Sequence, residues 1–205
     1  MTGLRAKQKA QRRDMIEAAA GDLFEAKGFD VTTIEEIADK ALVSPATVYN
    51  YYGNKGELLL ALIAKGEART RRKLSEFEER VDNEDPAELF ADIICSNMDD
   101  TLKYMSRELW GHAVAYVATT SDHAVAPRYL SVIADDLANA LVAAMNRYIK
   151  MGVLKPVDTE HFCYIMTRIE RSHFLGYIYL KAMTVEEMNL GIKKDIMLLV
   201  ETLKV

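Results

Sequence analysis

Thr47, Tyr49 and Asn50 stand close together in the stretch Ser44-Pro45-Ala46-Thr47-Val48-Tyr49-Asn50-Tyr51-Tyr52, offering hydroxyl and amide groups of the kind that bond base edges or phosphate oxygens. At helical spacing Val48 and Tyr52, four residues apart, face the other way and pack, so polar and apolar roles fall on separate faces. Lys55 follows at the next helix start, where an ammonium meets a phosphate. Arg5, Lys7, Lys9, Arg12 and Arg13 all precede the first acidic residue, Asp14, and give that end a local positive field although the whole chain carries a formal net charge of −5. Such an arm follows phosphates or enters a minor groove; the alternative is a solvated tail. A different chemistry is offered by Glu170-Arg171-Ser172-His173, whose spacing puts a carboxylate and an imidazole on one helix face, as in di-iron bundles. A di-iron site needs a second such pair and two more glutamates, and none of His112, His123 or His161 has a Glu three residues before it. An all-helical metal-binding protein or enzyme using Glu170 and His173 therefore stands as the alternative reading, and no metal or other cofactor is expected.

The elements that must position these groups are marked by their caps. Thr33 N-caps a first short helix, with Glu35 and Glu36 near its positive end and Ile34, Ile37 and Ala38 on one apolar face. Ser44 caps a second, and Pro45 falls at the first helical position, where its missing N–H costs nothing. The turn between them is Ala41 to Val43. Two helices so joined form a helix-turn-helix, whose second helix can enter a major groove roughly 12 Å wide. Gly53 ends that helix in a left-handed conformation. An ordinary helical hairpin with polar residues facing water is the competing reading. With no Arg or Lys between Pro45 and Tyr52, the strongest guanine-reading contacts are absent and the operator sequence is not readable.

The residues themselves carry a resemblance. Gly28-Phe29-Asp30-Val31-Thr32-Thr33-Ile34-Glu35-Glu36-Ile37-Ala38, then Val43-Ser44-Pro45-Ala46-Thr47-Val48-Tyr49-Asn50-Tyr51-Tyr52 and Asn54-Lys55-Gly56-Glu57-Leu58-Leu59, resemble the tetracycline-repressor (TetR) family of bacterial transcription regulators over the first third of the chain. Tyr52 stands where Phe is usual, Ala46 where Gly is frequent, and Gly56 where an acidic or polar residue is common and can loosen the start of the fourth helix. The resemblance implies an all-α protein: a three-helix DNA-binding domain, residues 1–54, followed by a helical effector-binding and dimerisation domain, residues 55–205. Its DNA-binding set is Arg5, Lys7, Lys9, Thr33, Ser44, Pro45, Ala46, Thr47, Tyr49, Asn50, Tyr51 and Lys55.

Composition fits a regulator. Half of the 205 residues are hydrophobic, enough for a substantial core, and no apolar stretch approaches the roughly 20 residues that span a bilayer; with no signal-peptide core, a cytoplasmic location is expected. Cys95 and Cys163 read as buried thiols. Nine or ten helices are expected, the first over 7–27 and the fourth over 55–81. Asp82-Asn83-Glu84-Asp85-Pro86 breaks the chain before the rest. A second basic cluster, Arg69, Arg71, Arg72 and Lys73, is read as a solvated face beside Glu67, Glu76, Glu78 and Glu79.

By the resemblance, the helices between Pro86 and Met183 receive a small neutral or amphipathic effector. Met98, Leu102, Met105, Trp110, Tyr116, Met145, Tyr148, Met166 and Phe174 are the candidate lining, with Trp110 and Tyr116 foremost because each joins an apolar body to a polar tip. The same residues at helical spacing are also what an ordinary core contains. The last two helices carry wide apolar stripes. In the resembled family they form a four-helix bundle with a second subunit, and Phe162, Ile165, Ile169, Ile178, Ile192, Ile196 and Leu199 are the predicted homodimer interface. Two heads roughly 34 Å apart would read two half-sites of a near-palindromic operator. The function expected is a repressor released by its effector through movement of the fourth helix, an activator remaining open, and not an enzyme.

Overall fold

The computed structural model describes every residue except 1, 75, 76 and 78, and the backbone alone at 2, 67–74 and 134. Nine α-helices appear among the described residues: α1 Thr2–Lys27, α2 Ile34–Lys40, α3 Pro45–Tyr52, α4 Lys55–Leu74, α5 Pro86–Tyr104, α6 Arg107–Thr119, α7 Val125–Lys150, α8 Thr159–Tyr179 and α9 Val185–Glu201. Beyond them there is one isolated antiparallel bridge, Leu154 to Lys204. The all-α expectation holds. The side chains of the second basic cluster at 69–73, and its expected partners Glu67, Glu76 and Glu78, lie outside the described residues.

Caps set most boundaries. Thr33 accepts from the Glu36 N–H while the Glu36 carboxylate takes the Thr33 N–H at 3.0 Å, a reciprocal box that Thr184 and Glu187 repeat at the start of α9. A hydrogen bond from Lys27, and then the Thr33 N–H, hold the Glu36 carboxyl below its ordinary pKa. Ser44, Ser106 and Asp158 cap α3, α6 and α8 through their side chains. Gly28 and Gly53 close α1 and α3 at φ 91° and 73°.

The chain divides into two compact units, and not at the boundary expected between 54 and 55. The first comprises residues 1–65 and 105–123, so α6 belongs with the three amino-terminal helices; the second comprises 66–104 and 124–205. In the first unit α2 packs on α1 and α3, burying Ile16, Ala20, Phe24, Ile37, Val48 and Leu58. In the second, α5 lies along α9, α8 along both α7 and α9, and the core holds Phe90, Ile94, Leu141, Met166, Phe174 and Ile196.

Candidate nucleic-acid interface

The outward face of α3 is built from the inside. Val48 is fully buried, and Tyr52, 8% exposed, donates its hydroxyl to Glu17 of α1 at 3.0 Å. Glu17 is itself buried, and takes the Lys65 ammonium of α4 at 2.9 Å and the Arg13 guanidinium at 3.4 Å. Burial first, and the neighbouring Glu17 charge second, push the Tyr52 phenol well above its ordinary pKa, so it stays a hydrogen-bond donor. One buried carboxylate thus ties α1, α3 and α4 together, a role the sequence reading did not assign to Glu17.

With its inner side fixed, α3 turns Ala46, Tyr49 and Asn50 outward, Tyr49 at 48% exposure. These three share a face at spacings of three and four. Pro45 opens the helix, Thr47 is half-buried with its hydroxyl 2.9 Å from that of Ser44, and the half-buried Tyr51 hydroxyl lies 3.5 Å from the Lys9 carbonyl. Thr33 and Ser44 are both exposed and both spend their side chains on caps. Leu42, in the turn before Ser44, is 84% exposed at φ 55°; the sequence reading passed over it, although its β-carbon in a tight turn was the signal.

Two predicted contacts take other forms. The basic end is helix from residue 2 onward, so Arg5, Lys7 and Lys9 project from α1 into solvent rather than from a loose arm, and a helix of that diameter does not thread a minor groove. Lys55 is half-buried: its ammonium donates to the carbonyls of Phe29, Asp30 and Thr32 at 2.6, 3.1 and 2.9 Å, and lies 4.5 Å from the centre of the Phe29 ring. Three donors meet three acceptors, leaving none for a phosphate. Lys55 fastens the loop between α1 and α2.

The effector residues also separate. Trp110, 1% exposed, and Met105, 4% exposed, lie in the core of the first unit. Tyr116 covers the start of α4, its hydroxyl bonded to Asn54 at 3.2 Å and Glu57 at 3.1 Å. Both foremost candidates therefore belong to the first unit, apart from the other proposed lining residues. Met98, Met145, Tyr148, Met166 and Phe174 are buried in the second unit, Leu102 is half-buried there, and the Tyr148 hydroxyl is committed to the Glu84 carbonyl at 3.0 Å. A cavity of about 220 Å³ in that unit is lined instead by Phe77, Val81, Ile93, Ala140, Ala143, Ala144 and Arg147, the last ion-paired with Asp82.

On the predicted interface, Phe162, Ile192 and Ile196 are 8, 0 and 0% exposed, so they fill the chain's own core. Ile169, Ile178 and Leu199 are half-buried, and Ile165 is exposed. Outward area on α8 and α9 comes from Tyr164, Ile165, Tyr179, Leu190 and Leu198. In the Glu170–His173 pair, Glu170 is 3% exposed and 4.0 Å from Arg171, while His173 bonds Asp195 at 2.8 Å. Among the described residues, no group of three or more His, Cys, Asp or Glu side chains is placed to hold a metal ion, and no helix is long and apolar enough to cross a membrane. Burial pushes the Cys95 thiol up to about 11 and the Cys163 thiol up to about 12, away from thiolate chemistry.

The family model of the tetR bacterial regulatory proteins matches residues 16–62, which hold the capped helix pair and the start of α4. YdeS, an uncharacterized HTH-type transcriptional regulator of Bacillus subtilis, is 44% identical over 45 residues, 22% of this chain and 23% of YdeS. The HTH-type transcriptional repressor NicS of Pseudomonas putida is 24% identical over 163 residues, 76% of this chain and 66% of NicS. The chain thus matches less than two thirds of the length of either relative. The fold is shared more widely: FadR of Thermus thermophilus, a TetR-family transcriptional repressor crystallised with lauroyl-CoA, superposes with a TM-score of 0.72 at 24% identity over 94% of this chain and 95% of FadR. Residues 16–62 thus carry the helix-turn-helix domain of the tetR bacterial regulatory proteins, and the fold of the chain is that of FadR.

Proposed function

We propose that this chain is a cytoplasmic transcription regulator that binds duplex DNA through the outward face of α3 and is released by a small effector. The observation that carries the reading is the division of labour on α3. Val48 and Tyr52 are locked inward by packing and by Glu17, while Ala46, Tyr49 and Asn50 stand in solvent with nothing in their own unit to serve. Exposed cations on the amino-terminal half of α1 supply the sequence-independent attraction. Binding occurs as a two-fold homodimer joined through Tyr164, Ile165, Tyr179, Leu190 and Leu198, exposed apolar side chains whose burial the isolated chain leaves undone.

The effector enters the second unit. FadR was crystallised with an acyl-CoA, and the cavity here, lined by alanine, valine, isoleucine and phenylalanine, suits a compact apolar body. An effector that prefers one of two dimer geometries shifts the population away from the DNA-competent one; repression relieved by ligand is the form we favour. A fluorescence-anisotropy titration of the full chain against duplexes from beside its own gene tests the DNA-binding step. Saturable binding that weakens steeply with salt and survives excess random duplex supports it. Equal binding to every duplex at all salt concentrations overturns it.

A further inference from the structure

We propose that the head reads the 5-methyl groups of thymine, with Leu42 and Ala46 as its apolar contacts, so that A·T pairs occupy those positions of each half-site. This inference rests on the DNA-binding reading above and names what that surface recognises. Among the side chains of α3 there is no cation to grip guanine, and the Ser44 and Thr47 hydroxyls, 2.9 Å apart, are engaged with each other and with the Thr47 N–H. What remains outward is an alanine methyl, a tyrosine ring and one amide.

Leu42 is a second outward apolar side chain of the head. It occupies the turn four residues before Ala46, 84% exposed, at φ 55°, a region glycine adopts without cost and leucine does not. The turn is firm, held by the Leu42 N–H to Asp39 carbonyl and Val43 N–H to Ala38 carbonyl hydrogen bonds at 3.2 and 3.0 Å. An isobutyl group held in water by a strained backbone gains the fold nothing; backbone strain of this kind marks places where function is served. In the major groove, the apolar feature of the base edges is the thymine methyl, and alanine and other methyl-bearing side chains meet it. Asn50, on the same face, adds an amide able to take adenine N6 and N7 together.

The test uses the full-length chain and duplexes it selects from a randomised library. Each thymine of a selected duplex is replaced in turn by uracil, which removes the methyl and leaves every hydrogen bond intact. At one or two positions per half-site the dissociation constant should rise about fourfold, the worth of one desolvated methyl, while other replacements change nothing. Leu42→Gly, which suits the positive φ, should fold with an unchanged or higher melting temperature and lose the sensitivity at one of those positions; Ala46→Gly should lose it at another. Selected duplexes whose uracil forms all bind within about twofold of the parent would overturn methyl reading while leaving DNA binding in place. A selection that enriches no sequence would overturn both. Retained sensitivity in Leu42→Gly would remove Leu42 from the contact.

Discussion

The ring of Tyr116 in α6 lies on the backbone of Gly56 at the start of α4: a β-carbon at position 56 would stand 2.5 Å from Cδ2 of that ring. Glycine here makes room rather than loosening the helix, whose first turn is capped by Asn54 through the Glu57 N–H at 2.9 Å. Gly56→Ala should therefore lower stability by about 1–3 kcal/mol through overpacking, although alanine is the better helix former. In a double-mutant cycle by thermal or urea unfolding, Tyr116→Val should recover much of that loss; independent, additive effects would refute the contact.

Lys55 holds three carbonyls, and its loss should register in folding. Lys55→Ala should cost about 1 kcal/mol, the net worth of charge-assisted hydrogen bonds to part-buried carbonyls that water can partly replace. The slope of log affinity against log salt on duplex DNA should stay as in the parent. A slope reduced by about one with unchanged melting would make Lys55 a phosphate contact after all.

Glu170 provides the pH dependence. Burial raises its pKa above the ordinary 4.5, with Arg171 and His173 only partly opposing. The folded chain thus holds a proton that the unfolded chain has released, so this group's contribution is favourable below about 4.5 and is lost as pH rises through the folded value. Glu170→Gln should raise the melting temperature at neutral pH, and the gain should shrink to nothing in acid. A gain independent of pH, or a loss at neutral pH, would contradict this placement.

On the last two helices, exposure separates outward-facing from core side chains. Leu190→Asp with Leu198→Asp, at residues 53 and 72% exposed, should give a folded monomer by sedimentation. Ile192→Ala, at a fully buried position, should instead cost about 2–5 kcal/mol of stability. A dimer that survives both aspartates would place the interface elsewhere.

Local signals were legible and non-local ones were not. Thr33 with Glu36, Ser44 with Pro45, and Thr184 with Glu187 announced their helices, because capping is settled within four residues. The separation of Val48 and Tyr52 from Tyr49 and Asn50 followed from helical period alone. The unit to which Trp110 and Tyr116 belong was not legible, because periodicity gives a helix an apolar face without saying which neighbour receives it; α6 falls in the first unit. Ile192 and Ile196 failed for the same reason, a wide stripe being shared between the chain's own core and whatever lies outside. Lys55 shows the limit for charges, since a cation at a helix start is equally apt for a phosphate or for a ring of carbonyls 23 to 26 residues back.

The central claim is that α3 is fixed on one side so as to read duplex DNA with the other. Its most direct test is Tyr49→Ala with Asn50→Ala in the full-length chain, measured for melting temperature and for affinity toward a selected duplex and a random one. Melting should stay close to the parent, since both residues are exposed. Affinity for the selected duplex should fall at least about tenfold, as a lost base contact predicts, with random-duplex affinity little changed. Undiminished preference for the selected duplex, in a variant that folds as the parent does, would contradict the account.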